Sequence, residues 1–148
     1  MTFLKILKAG VLLAISSFPA LLSAAETDAT LKSRLVGTWY STFEWKSADD
    51  PEFWVKSRGQ DTYSVDGQVH GISVSLRGSQ EERVEYSGRW GVNDGFLVVE
   101  VTDTSGGYIE AGMITRDRIM QLDASTMTLE AADGNTVVLH RDAADAAE

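Results

Sequence analysis

The stretch Glu82-Arg83-Val84-Glu85-Tyr86-Ser87-Gly88-Arg89-Trp90-Gly91-Val92-Asn93-Asp94-Gly95-Phe96-Leu97-Val98-Val99-Glu100-Val101 decides the fold. Side chains of a strand point alternately to opposite faces. Val84, Tyr86, Gly88 and Trp90 therefore share one face and Arg83, Glu85, Ser87 and Arg89 the other. Asn93-Asp94-Gly95 is turn chemistry, because these residues accept positive φ. Beyond it Leu97, Val99 and Val101 alternate with Phe96, Val98 and Glu100. Two half-buried antiparallel strands joined by a tight turn follow directly.

The same period continues in both directions. Trp39, Ser41, Phe43 and Trp45 share a face, opposite Tyr40, Thr42, Glu44 and Lys46. Residues 47–51 break that run, 52–58 resume it, and Gly59 is expected at a corner. Asp61 to Val65 ends at the hairpin signal Asp66-Gly67, and Val69 to Leu76 ends at Arg77-Gly78-Ser79. After Ser105-Gly106-Gly107, two runs are expected, Tyr108 to Thr115 and Arg118 to Leu122, with a bend or bulge near Arg116 and Asp117. Thr126 to Ala131, the turn Asp133-Gly134 and Thr136 to Arg141 complete the series. Short strands at even spacing with no long helical period predict an all-β fold, an antiparallel up-and-down β-barrel of about 8–10 strands. Leu31 and Leu35 predict a short N-terminal helical turn leading into it.

Residues 1–25 carry Lys5 and Lys8, an apolar run to Leu22, and the small residues Ser23-Ala24-Ala25. That order predicts a secretory signal peptide cut after Ala25, and the run is shorter than the roughly 20 apolar residues that span a bilayer. Residues 26–141 form the barrel domain, and 142–148 are expected to be a disordered acidic tail. Of the 13 basic residues Lys5 and Lys8 lie in the signal, so 11 remain against 22 acids. Such a balance argues against nucleic acid and anionic membrane surfaces as partners. The chain has no cysteine, hence no disulfide framework, thiolate metal site or acylation point.

Leu35-Val36-Gly37-Thr38-Trp39, Asp61-Thr62-Tyr63-Ser64-Val65, Ser87-Gly88-Arg89-Trp90-Gly91-Val92, and the ending from Leu129 through Asp133-Gly134 to Arg141 stand in a set order over most of the chain. In these residues, their order and the length, the chain resembles the lipocalin-like proteins of the calycin superfamily, more closely their small exported bacterial type than the transporters. The resemblance implies a barrel closed at its base by Gly37 and Trp39, with Arg141 of the final strand covering the indole.

Catalysis is not expected. His70 and His140 lack the close-spaced partner of a zinc or copper site. Gly71-Ile72-Ser73-Val74-Ser75 lacks the second glycine and following helix of a nucleophile elbow. Asp49-Asp50-Pro51-Glu52 lacks the ligand spacing of a calcium loop. No cofactor or metal is expected. The aromatic residues carry the functional expectation: Phe43, Trp45, Tyr63, Tyr86 and Trp90 either line a cavity for a small hydrophobic or amphipathic molecule, or fill the barrel core. Trp54, Lys56 and Arg58 share one face, and if that face were internal the ligand would be anionic. The two readings are a periplasmic or secreted binding module, and a filled barrel acting in the envelope through its outer surface as an interaction or inhibitor protein.

Overall fold

The computed structural model describes residues 26–46, 54–77 and 79–142, with backbone alone for Trp45, Lys46, Trp54, Val55 and Arg77. The expected signal peptide, the loop Asp49-Asp50-Pro51-Glu52 and all of the tail beyond Asp142 lie outside the described residues.

A helix α1 (Asp28–Leu35) precedes eight strands, β1 (Gly37–Lys46), β2 (Trp54–Tyr63), β3 (Gln68–Arg77), β4 (Gln80–Asn93), β5 (Phe96–Thr104), β6 (Ile114–Leu122), β7 (Thr126–Glu130) and β8 (Thr136–His140). Each strand pairs antiparallel with the next, and β1 returns to β8 to close the barrel. The architecture, a closed eight-stranded antiparallel barrel with one short helix, fits a lipocalin-like fold. Closure removes free edges, which is how a cysteine-free sheet of this size avoids edge-to-edge association.

The barrel is lopsided. β1 to β4 run 10 to 14 residues, whereas β7 and β8 run 5 each. The β1–β8 seam consists of Tyr40 opposite His140 and Ser41 opposite Leu139, so the upper part of β1 rises above its neighbour. The core sits at the lower end, where Leu31 and Leu35 of α1 meet Trp39, Tyr63, Trp90, Leu97, Leu122, Met127 and Leu139. Burying these side chains stabilises the fold by about 1.5–3 kcal/mol each before entropy is subtracted.

Helix α1 is fixed at both ends. Thr27 caps it, its hydroxyl accepting from the Thr30 amide at 3.3 Å. Asp28 reaches out of the first turn and accepts from the amides of Asp94 and Gly95 at 2.8 and 2.9 Å. Those two residues form the β4–β5 turn with φ of 53° and 77°, so one carboxylate locks the helix onto the hairpin.

Two strand boundaries differ from the sequence expectation. Gly59 is no corner: β2 runs unbroken from Trp54 to Tyr63, and Gly59 is there because a Cβ would stand 2.7 Å from the Ser41 hydroxyl. Residues 105–113 form a loop, and β6 begins at Ile114 and passes straight through Arg116 and Asp117. Its irregularity falls later, between Ile119 and Gln121. Gly106, Gly107 and Gly112 all have positive φ, which takes this segment out of strand geometry.

Candidate functional site

The barrel base is sealed by one set of contacts. The Arg141 guanidinium lies 4.1 Å from the Trp39 ring centre, donates to the Val36 carbonyl at 3.0 Å, and donates also to the Arg34 carbonyl. Trp39 is fully buried, its indole N–H donating to the Leu35 carbonyl at 2.8 Å. Gly37 has φ +124°, and a Cβ there would lie 2.3 Å from the Arg141 guanidinium. The glycine and the tryptophan two residues on are thus two halves of one seat for the arginine.

Strand register carries inward positions around the barrel. Trp39 pairs with Asp61, Asp61 with Gly71, and Gly71 with Tyr86. Across this row Tyr86 lies over Gly71, where a Cβ would come within 2.1 Å of its ring, and its hydroxyl donates to Asp61 Oδ1 at 2.6 Å. Burial pushes the Asp61 carboxyl above its ordinary range, opposed by the Tyr86 hydrogen bond and by His70. Burial and the Asp61 charge push the Tyr86 hydroxyl up in turn.

Above the sealed base is a cavity of about 370 Å³. Leu97, Val99, Leu129, Val137 and Leu139 make one wall, while Ser41, Asp61, Tyr63, Tyr86 and Asp117 supply polar atoms. Tyr108, Ile109 and Met113 of the β5–β6 loop reach over it. The Tyr108 hydroxyl hydrogen-bonds the Ser73 hydroxyl and stands 3.4 Å from that of Ser75, tying the loop to β3. Ser57 continues this hydroxyl ladder, 3.0 Å from Ser75 and 3.3 Å from Ser73. A smaller recess of about 180 Å³ shares Ser41, Asp61 and Tyr86 with the cavity and adds Phe43 at its rim.

The aromatic residues singled out in the sequence divide by height. Phe43 stands at the open rim, 44% exposed. Tyr63 and Tyr86 line the cavity. Trp90 lies at the closed end, its ring 5.1 Å from that of Tyr63 in an edge-on contact and its N–H donating to the Ser64 carbonyl at 2.9 Å. Lys32 of α1 covers its other side at 5.5 Å. The side chain of Trp45 is outside the described residues.

Lys56 and Arg58 pair with Glu44 and Thr42 on the outward register and are exposed. No anion-selecting cation comes from that face. Asp61, Asp117 and Tyr108 are instead the lining residues that sequence reasoning missed. The signal for Asp61 was its even spacing from Ser57 and Gly59, hidden once Gly59 was taken as a corner. Ser73 bonds hydroxyls alone, with His70 turned to the outer face of β3. Compared with known proteins, the chain matches no family model and no curated protein.

Proposed function

We propose that this protein is an exported lipocalin-like barrel of the calycin superfamily, small bacterial type, that holds a small amphipathic molecule in the periplasm. The observation that carries the reading is the cavity of about 370 Å³ lined mainly by apolar side chains with a few polar ones among them. Ligand sites are concave, mostly apolar and furnished with a few oriented polar groups, and the volume falls in the ordinary range for them. The packed Trp39, Leu35 and Arg141 below close one end, and the β5–β6 loop partly covers the other.

The alternative, a barrel working through its outer surface, has Ile114, Met120 and Val138 to offer at 64%, 50% and 43% exposure. These sit on β6 and β8 with β7 between them, and scattered apolar residues of this kind are normal on any surface. The interior is the better supported site.

The test is titration with the neutral fluorescent probe N-phenylnaphthylamine. Saturable one-to-one enhancement is expected, lost in Val99→Trp, which fills the cavity while the far-ultraviolet strand signal persists. Enhancement that never saturates, or that survives the filling substitution, would contradict the proposal.

A further inference from the structure

The polar groups inside the barrel are not a neutral mixture. Asp117 faces inward from β6, opposite Leu97 of β5, and makes no hydrogen bond or ion pair among the described residues. Tyr63 is 4% exposed, lines the same cavity, and leaves its hydroxyl without a protein partner among those residues. Neither atom is sealed off, since no buried side-chain polar atom lacks a partner among the described residues; both open onto the cavity, so its occupant, water or ligand, supplies their partner. Asp61 adds a second carboxylate, oriented by Tyr86.

No lysine, arginine or histidine side chain lines the cavity among the described residues. Arg141 is committed to Trp39 and to two backbone carbonyls below the floor. The ionisable side chains of the lining are therefore acids and tyrosines, with His70 acting on Asp61 from the outer face of β3. The Tyr63 hydroxyl is held well above its ordinary range by burial and then by Asp61, Tyr86 and Asp117 together. Three tyrosine rings, Tyr63, Tyr86 and Tyr108, bound the same space, and aromatic faces attract cations.

We propose that the ligand is an amphipathic organic cation, an alkyl- or arylalkyl-ammonium, with its apolar body on Leu97, Val99, Val137 and Leu139 and its ammonium group at Asp117, on the side of Tyr63. The assignment rests on the reading of the barrel as a ligand holder and adds the chemistry of the head group. An ammonium gives Asp117 a charge-assisted hydrogen bond, the stronger kind, and faces no competing cation. A carboxylate head would meet two acids, and an alcohol would satisfy Tyr63 but leave the charge unanswered.

The experiment compares octylammonium, 1-octanol and octanoate by calorimetric titration of the full-length protein at neutral pH and physiological ionic strength, with Asp117→Asn beside the natural chain. Octylammonium is expected to bind about tenfold or more tighter than octanol, with octanoate weakest. The near-isosteric Asp117→Asn should weaken octylammonium about tenfold and leave octanol unchanged, with near-ultraviolet circular dichroism reporting an intact core. Equal affinity for all three probes, unmoved by Asp117→Asn, would overturn the cation assignment and leave the cavity reading standing. A preference that survives Asp117→Asn and fades with added salt would belong to the overall negative charge and overturns the assignment as well. Saturable binding of none of the three would overturn both readings.

Discussion

Gly71 exists as a glycine so that Tyr86 can cross β3 and reach Asp61, the Cβ of any other residue falling inside the ring. Gly71→Ala must lift Tyr86 off the sheet, detach its hydroxyl and leave Asp61 without its donor. The expected cost is about 1–3 kcal/mol in denaturant unfolding, from overpacking and a lost charge-assisted bond. Tyr86→Phe should cost less, since the ring stays. Equal stability of Gly71→Ala and the natural protein would mean that the ring packs elsewhere.

Asp117 allows a pH prediction at the same scale. Burial first, and the Asp133 carboxylate second, raise its folded pKa above the ordinary 3.8. The folded state then holds the proton more tightly than the unfolded chain, so the group favours folding below 3.8 and that contribution is lost as pH climbs through the raised value. Asp61 and the Tyr63 hydroxyl also face this space, the hydroxyl staying neutral across this range because its pKa is held well above 10.0. Asp117→Asn should therefore raise the thermal midpoint of the unliganded protein at pH 7 by a few degrees, a modest effect because cavity water screens the charge. The gain should vanish below pH 3.8. A lower midpoint at pH 7 would show that the carboxylate has a favourable partner.

At the scale of elements, the seal joins α1, β1 and the end of β8. The cation and ring contact of Arg141 with Trp39 should show about 0.5–2 kcal/mol of coupling in a double-mutant cycle. Trp39→Ala alone should cost about 3–5 kcal/mol and Arg141→Ala less. Additive losses would contradict the contact. Asp28→Ala should cost about 1–3 kcal/mol by freeing the Asp94 and Gly95 amides, with hydrogen exchange quickening at that turn first.

The elements also show what sequence can carry. Alternation at Leu97, Val99 and Val101 revealed their strand and its inward face because those positions are apolar and their neighbours less so. Asp61 and Asp117 occupy inward positions with polar side chains, so the same rule reads Asp117 as a bend and starts a new strand at Asp61 after a corner at Gly59. The β5–β6 loop was expected as a strand because Tyr108, Ile109 and Met113 are strand-like residues. Its course is set by the positive φ of Gly106, Gly107 and Gly112, and Tyr108 ends on β3, a partner that lies 33 to 35 positions away in sequence. Local pattern holds no record of such a return. Asp117 and the β5–β6 loop, which depart from the expected pattern, both contribute to the cavity lining.

Over the whole molecule, a sealed base, a tall β1–β4 wall and a loop tied across the top enclose a space suited to a ligand among the described residues. The order of charged, apolar and small residues in 1–25 makes export part of the same account. Intact mass of the mature protein should correspond to a start at Glu26 or within two residues, and a folded cytoplasmic product retaining Met1 would contradict it.

The most direct test of where the ligand sits is methyl nuclear magnetic resonance during titration with octylammonium and with 1-octanol. Saturable shifts should concentrate in Leu97, Val99, Leu129, Val137 and Leu139, while Ile114 and Val138 on the outside stay still. Shifts confined to Ile114, Met120 and Val138, with the interior methyls unmoved, would place binding on the outer surface and contradict the account.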